Sequence, residues 1–269
     1  MKICHITGYF VEGLGYQENL LPKGQSELGH KVIILTGRWE PDFGFNSKKR
    51  LHKKETFTSQ GVEVRRLNDW YEIKNKGPFL KGIIKELKKI KPDIIFIHDI
   101  GLSLLWAIIY KRFFDKNVFL QFDCHSTPGK AMNSKIGPLY HYFFRFIFSF
   151  NSSLFIDFFA IAPEAVAFIS DIYKIPKRKI SLLPLPGDAS LLNKKEIFRE
   201  NFRKKYKLPK DSLLIVHSGK FNKEKRTIES IKAFKKVNKK NVFLLIAGFS
   251  EGQYSLEISK QIKNNKNIL

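Results

Sequence analysis

The chain has 269 residues, enough for one large domain or two smaller ones. Its hydrophobic content of 43% and its 25 phenylalanines exclude an intrinsically disordered protein and allow a sizeable core. The net charge of +23 favours polyanionic partners, namely nucleic acid, an anionic membrane surface or phosphorylated ligands. No zinc-finger spacing or RNA-binding aromatic signature accompanies the basic residues, which argues against nucleic acid.

The predicted elements begin at the N-terminus, where MKICHIT enters a strand pattern with no signal peptide. The two cysteines, Cys4 and Cys124, are too few for a disulfide framework or a cysteine-based metal site. Free thiols suit a reducing compartment, so the sequence predicts a cytoplasmic protein. Cys124 is interpreted as a core thiol.

The first part of the chain alternates buried strands with helices. One helix is expected to end at Leu28, with Pro22 near its first turn because an interior proline would break it. Residues 37–61 are expected to be irregular, and residues 79–90 carry apolar side chains on one helical face. The predicted strands cover residues 2–7, 31–36, 62–67, 94–98, 117–123 and 180–186.

One segment, residues 139–161, is long and rich in aromatic side chains, as a membrane-spanning helix can be. Its length would suit a span, but His141, Arg145 and Asp157 would be costly at bilayer depth. The segment is therefore predicted to be a buried or interfacial aromatic helix.

The alternation restarts after a charged helix within residues 193–212. A strand at 213–217 is followed by a helix (227–237), a strand (241–248) and a helix near 254–264, and the final NIL is expected to begin another strand. Alternating strands and helices predict an α/β protein with parallel, doubly wound sheets. The charged helix is interpreted as the bridge between domains 1–190 and 191–269.

Residues 215–225, IVHSGKFNKEK, combine a strand, a glycine and the approach to a helix. This arrangement favours an anion site, and Lys220 and Lys225 offer two point charges that suit a diphosphate. The simpler alternative is a solvated basic turn. His125 follows a predicted strand, and His98 and Asp99 lie at the end of another, where α/β sheets place ligands. The alternatives are helix capping for Asp99 and a backbone-bonded loop role for His125.

The order of several motifs resembles the GT-B glycosyltransferases, specifically the retaining glycosyltransferase family 4, over the whole chain. The motifs are GYQEN (15–19), LGHKVIILT (28–36), KPDIIFIHD (91–99), FDCHST (122–127), LLPLPGD (182–188) and SGKFNKEK (218–225). The resemblance implies two Rossmann-like domains, with an acceptor site in 1–190 and a nucleotide-sugar site in 191–269.

The resemblance also implies an activity, which is the transfer of a sugar from a nucleotide-diphosphate sugar to a glycan or lipid-linked acceptor with retained anomeric configuration. No metal or other cofactor is expected. The implied sites are a cleft histidine near the reacting sugar, His125, and donor-diphosphate contacts from Gly219, Lys220, Lys225, Gly13 and Gly15. For the two N-terminal glycines, simple turn geometry is the alternative. His98 and Asp99 are further candidates to line the cleft.

The chain departs from the family pattern in its C-terminal domain. The family carries an acidic pair, Glu-x7-Glu, which has no counterpart in that context within residues 226–269. The sequence therefore predicts an incomplete second domain. The alternatives left open are an inactive fragment, one half of a split enzyme completed by a second chain, and a basic protein that binds nucleic acid or a membrane surface. The basic surface and aromatic helix would suit peripheral contact with the inner membrane face.

Overall fold

A computed structural model describes residues 1–41, 50–73, 77–132, 135–221, 223–237, 239–249, 252–263 and 265–269. Contacts within the chain separate two compact units, and the division falls between Asp188 and Ala189. The domain boundary proposed from the sequence, after residue 190, lies close to this point.

The first unit is built on a mainly parallel sheet. Its strands are β1 (Lys2–Ile6), β2 (Lys31–Thr36), β3 (Glu55–Ser59), β4 (Val62–Arg66), β5 (Asp69–Ile73), β6 (Gly77–Leu80), β7 (Ile94–His98), β8 (Phe119–Cys124), β9 (Phe155–Ala160) and β10 (Ile180–Leu182). Among the described residues the main sheet runs β10-β9-β8-β7-β1-β2-β4-β3, in which β3 pairs antiparallel with β4 and the other pairs are parallel. The pair β5-β6 forms a separate antiparallel hairpin. The parallel, doubly wound prediction is confirmed.

Helices cover this sheet because its strands are apolar along most of their length. The helices of the first unit are α1 (Gln17–Glu27), α2 (Ile83–Ile90), α3 (Ser103–Phe113), α4 (Pro128–Met132), α5 (Gly137–Asn151) and α6 (Pro163–Tyr173). The ring of Phe148 on α5 packs 5.6 Å from those of Phe122 and Phe158 and 5.3 Å from that of Tyr173. Burying each such side chain contributes about 2 kcal/mol, so this aromatic layer fixes α5 on the sheet.

The aromatic segment 139–161 is divided between two elements. Its first part lies in α5, but its last part forms the partly buried strand β9, so the prediction of a helix is wrong for that last part. Among the described residues, no helix combines the length and the apolar character needed to cross a bilayer.

Three further local predictions are wrong. Residues 37–61 include β3, whose pairing with β4 was hidden by its polar composition, while residues 42–49 lie outside the described part of the chain. Pro22 lies in the interior of α1, because this helix already begins at Gln17. The side chain of Asn19 stabilises that early start by accepting a hydrogen bond from the Tyr16 N–H at 3.3 Å.

The third of these local errors is the extent of the helix at 79–90. Residues up to Leu80 belong to β6, and α2 begins only at Ile83. Gly82 has a φ of +80°, a conformation that favours glycine and that breaks the continuity between strand and helix. The apolar periodicity itself is retained, since Ile83, Leu87 and Ile90 are buried.

The second unit has the strand and helix order predicted for it. Its elements are α7 (Lys195–Lys205), β11 (Leu213–Lys220), α8 (Thr227–Lys235), β12 (Val242–Phe249) and α9 (Gly252–Ile262). Strands β11 and β12 are parallel, and Ile268 makes a parallel bridge to Leu244, as expected for the final NIL. Ile231, Phe234 and Leu244 belong to the core of this unit.

Gly219 and Gly248 are register partners at the carboxyl ends of β11 and β12. A Cβ atom on Gly248 would overlap with the carbonyl oxygen of Gly219 and with the ring of Phe221. Close approach of the strands therefore requires glycine at position 248, whereas Gly219 is favoured by its φ of +130°, with open space around its Cβ position.

Candidate functional site

A polar pocket lies at the carboxyl ends of β1, β7 and β8, where parallel sheets place their ligands. Its volume is about 260 Å³. The pocket is lined by residues that follow these strands and by side chains from α1, α3, α5 and β6, namely Thr7, Gly8, Tyr9, Glu18, Gly77, Pro78, His98–Ser103, His125, Ser126, Tyr140 and His141. All of them belong to the first unit.

Asp123 is the centre of a buried hydrogen-bond network behind this pocket. Its Oδ2 accepts hydrogen bonds from His98 Nδ1 and from Gln17 Nε2, both at 2.9 Å. Its Oδ1 accepts one from the Asp99 backbone N–H, also at 2.9 Å. Burial alone would raise the pKa of Asp123, but His98 and His125 hold that pKa below its usual range. The carboxylate is therefore ionised although it is fully buried.

A second buried histidine extends the network. His5 Nδ1 lies 2.9 Å from His98 Nε2, and His5 Nε2 lies 2.6 Å from Gln25 Oε1. One of the two facing nitrogens, His5 Nδ1 and His98 Nε2, donates a hydrogen bond and the other accepts it, according to the tautomers of the rings. Burial, together with the charge of His98, lowers the pKa of His5 to about 3. His5 is thus neutral at physiological pH.

His125 is a titratable side chain that joins this network to the pocket. Its Nε2 lies 3.4 Å from Asp123 Oδ2, which is an ion-pair distance without the alignment of a good hydrogen bond. Burial would lower the pKa of His125, but Asp123, Asp99 and Glu18 outweigh burial and raise it to about 9. The pocket therefore presents an imidazolium cation at neutral pH.

Asp99 shapes the backbone of the site. It has a φ of +57°, in the left-handed region that a residue with a Cβ adopts only at an energetic cost. Its N–H donates to Asp123, and its Oδ1 accepts from the His125 N–H at 3.4 Å. Burial raises the pKa of Asp99, while His125 partly offsets that rise. Asp99 thereby connects the ends of β7 and β8, and the N-cap position of α3 is Leu102.

The predicted site residues fall into separate groups. His98, Asp99 and His125 lie together in the pocket, whereas Gly13 and Gly15 lie in an exposed loop and are not among the described pocket-lining residues. Both glycines have positive φ values, +69° and +72°, as turn geometry requires.

The remaining candidates, Gly219, Lys220 and Lys225, belong to the second unit. Gly219 and Lys220 end β11 rather than forming a turn after it, and the side chain of Lys220 lies outside the described part of the structure. Lys225 closes a 3₁₀ turn, Lys223–Lys225, just before α8 and is exposed. The structure thus keeps the strand, loop and helix order around these residues.

Sequence reasoning missed Asp123, His5 and Gln17. A signal for Asp123 was present, because Asp123 and His125 are two residues apart at the end of a strand and so share a face. His98 and Asp123 are also register partners on β7 and β8. The contribution of Gln17 depends on how α1 packs, for which the sequence offers no local signal. The Cys124 interpretation holds, since this thiol is buried and burial raises its pKa well above the usual value.

The ligand atoms of His98, Asp123 and His125 all lie within 4.8 Å of one another. Two nitrogens and a carboxylate oxygen could hold a cation such as zinc. The same atoms are already paired with one another, which gives an alternative account of their proximity.

Comparison with known proteins identifies the fold. Residues 198–268 match the family model described as glycosyl transferases group 1. No curated protein sequence matches. Solved structures that match include a sucrose-phosphate synthase from Thermosynechococcus elongatus, with 15% identity and a TM-score of 0.61, covering 100% of this chain and 69% of that one.

Two further structures are similar to the whole chain. A glycosyltransferase from Rickettsia africae has 14% identity and a TM-score of 0.61, and 67% of its length is covered. HepE of Anabaena in complex with UDP has 11% identity and a TM-score of 0.64, with 68% covered. Each match covers 100% of this chain. The chain has the GT-B fold of these glycosyltransferases, and its residues 198–268 carry the sequence pattern of the group 1 glycosyl transferases.

Proposed function

We propose that the chain transfers a sugar from a nucleotide-diphosphate sugar to a glycan or lipid-linked acceptor, with retention of the anomeric configuration. The observation that carries this proposal is the imidazolium of His125, held by a buried carboxylate at the carboxyl edge of a GT-B-type sheet. The resemblance favours a cytoplasmic enzyme of polysaccharide biosynthesis. It gives the acceptor to the first unit and the nucleotide sugar to the second.

His125 is the proposed catalytic residue. A cation next to the reacting sugar stabilises negative charge that develops on the departing diphosphate, and an N–H can hold a sugar hydroxyl. Asp123 keeps His125 protonated, and Asp99 fixes the backbone on which His125 lies. His98 and Asp99 line the same pocket and would contact the sugar or the acceptor.

The diphosphate is proposed to bind the second unit through Gly219, Lys220 and Lys225. Backbone N–H groups and lysine charges around the start of a helix suit a phosphate ligand. Gly13 and Gly15 are proposed to supply further backbone donors from their exposed loop. No metal ion is needed in this scheme, since lysines and His125 supply the positive charge.

Calorimetric titration tests the donor site directly. The purified chain is titrated with UDP-, ADP- and GDP-sugars at low salt, beside Lys225→Ala and Lys232→Ala. Lys232 is an exposed lysine on α8 and serves as the matched control. We expect one nucleotide class to bind, Lys225→Ala to weaken that binding about tenfold, and Lys232→Ala to leave it unchanged. Absence of binding by every nucleotide sugar would refute the proposal.

A second candidate is a chain that binds the donor but needs further polypeptide for turnover. The observation that favours it is β11, which among the described residues pairs only with β12, while Leu213 and Val216 on it are exposed. A second chain that adds a strand there would complete the sheet. In that case nucleotide binding would be measurable without turnover, and added downstream polypeptide would restore turnover.

A further inference from the structure

Helix α5 carries a row of exposed apolar side chains on the side opposite the core. These residues, the α5 outer face, are Leu139, Tyr142, Phe143, Phe146 and Phe150. Their spacing follows one helical face. Leu139, Phe146 and Phe150 are 73%, 62% and 64% exposed, and the rings of Phe146 and Phe150 lie 5.1 Å apart. An exposed aromatic surface of this size indicates a binding site for an apolar partner, such as a membrane or another protein.

The apolar surface continues past the end of α5 onto α3. Arg112 donates hydrogen bonds to the Phe150 carbonyl oxygen at 3.1 Å and to Asn151 Oδ1 at 2.9 Å. Beside Arg112, an open recess of about 430 Å³ is lined by Lys111, Arg112, Phe113, Lys116 and Leu154. The α5 outer face is therefore continuous with a basic and aromatic rim, formed by the residues that line this recess.

This surface carries more basic than acidic side chains. Residues 124–156 contain no Asp or Glu, both Lys135 and Arg145 are exposed, and the partly exposed Asp115 is an acidic neighbour of the rim residues Arg112 and Lys116. Exposed aromatic rings interleaved with lysine and arginine are typical of helices that lie in the interface of an anionic bilayer. A surface with this excess of basic residues, on a chain of net charge +23, complements anionic lipid headgroups.

We propose that the α5 outer face and its basic rim form the docking surface for an anionic lipid bilayer. The aromatic side chains enter the headgroup region, and Arg112 and Lys116 of the rim contact lipid phosphates. The exposed Arg145, on the flank of α5 next to Phe146, adds a further positive charge to this surface. The helix lies along the membrane surface and does not cross it.

The opposite side of the same helix reaches the candidate active site. Tyr140 and His141 line the pocket, and the Tyr140 hydroxyl donates to the Ile100 carbonyl oxygen at 3.0 Å. Docking through the outer face would thus hold the pocket close to the membrane surface. If the proposed transferase function is right, this geometry favours an acceptor whose lipid tail remains in the bilayer.

Vesicle flotation without any nucleotide sugar tests the docking surface independently of the proposed function. The full chain is mixed with phosphatidylcholine vesicles, with and without about one third phosphatidylglycerol. Three proteins are compared: the wild type, the double variant Arg145→Glu with Phe146→Ser, and the control Leu256→Ser with Lys260→Glu. Leu256 and Lys260 are an exposed apolar and basic pair on α9. Circular dichroism and sedimentation velocity establish the folding and association state of each protein.

We expect the wild type and the control to float with the anionic vesicles, and the α5 variant to bind them at least tenfold more weakly. Binding to neutral vesicles should be much weaker for all three proteins. Equal flotation of the folded α5 variant would overturn the proposal. A wild type that does not bind anionic vesicles would also overturn the proposal. One way this could arise is self-association through α5, which sedimentation would reveal because the α5 variant would then be smaller than the wild type.

Discussion

The imidazole of His98 and the carboxylate of Asp123 face each other across adjacent parallel strands, with Nδ1 and Oδ2 2.9 Å apart, and both side chains are buried. Asp123 also pairs with His125, which lines the pocket. One buried carboxylate thus fixes an internal histidine and tunes the histidine of the candidate site.

Asp123→Asn should remove the electrostatic effect of the carboxylate on both histidines while its packing is kept. The amide keeps the shape but removes the negative charge, so the pKa of His125 should fall from about 9 toward its usual 6.5. Loss of a buried ionic partner should also lower the free energy of unfolding by about 3 kcal/mol. Histidine NMR titration and chemical denaturation measure the two effects. An unchanged His125 pKa would show that Asp123 does not hold the proton there.

The stability of the chain should depend on pH in opposite ways through His5 and His125. His5 stays neutral in the folded state down to about pH 3, so its contribution is lost as pH falls from 6.5 toward 3. His125 stays protonated up to about pH 9, so its contribution, at most about 3 kcal/mol, is lost as pH rises from 6.5 to 9. Denaturation measured across this range should reveal both declines.

Two substitutions show which histidine causes each loss of stability. His125→Gln should flatten the dependence between pH 6.5 and 9 and leave the acid side unchanged. His5→Gln should flatten the acid side and spare the alkaline side. An alkaline decline that survives in His125→Gln would have to arise from another group.

Gly248→Ala should destabilise the second unit by about 2 kcal/mol, because its Cβ would overlap with the Gly219 carbonyl oxygen and the Phe221 ring. Gly24→Ala is the matched control, since this glycine lies inside α1 with open space around its Cβ. That control should stabilise the first unit by about 0.5–1 kcal/mol. Amide exchange of β12 reports the second unit, and tryptophan fluorescence reports the first, which holds Trp39, Trp70 and Trp106. A fully protected β12 in Gly248→Ala would contradict the close approach of the strands.

Removal of metal ions should leave sugar transfer unchanged. In the proposed scheme, Lys220, Lys225 and His125 supply the positive charge that a metal would otherwise provide. Transfer rates before and after dialysis against a chelator measure this. Loss of activity that zinc restores would instead assign His98, Asp123 and His125, which lie within reach of a single ion, as metal ligands.

The sequence predicted the parts of the fold that depend on periodic burial. The parallel strands around His98 and Asp123 and the alternation in the second unit follow from apolar runs and helical spacing. The polar strand β3 and the interior position of Pro22 were missed because each is stabilised by contacts that local pattern does not encode, namely pairing with β4 and the Asn19 cap.

The candidate site was predictable where it coincides with the ends of strands. His98, Asp99 and His125 were found in this way. Gln17 and His5 were not, because their roles depend on which elements lie side by side in the folded sheet. Asp123 could have been found, since it ends a predicted strand, as His98 does, and lies two residues before His125.

The most direct test of the central claim is the release of nucleoside diphosphate from a panel of nucleotide sugars, with cell-membrane lipid extract as acceptor. The wild type and His125→Gln are compared at pH 7.5, where His125 should be protonated. We expect one donor to be consumed, with transfer at least tenfold slower in His125→Gln. Absence of release from every donor, or equal rates in the two proteins, would contradict the account.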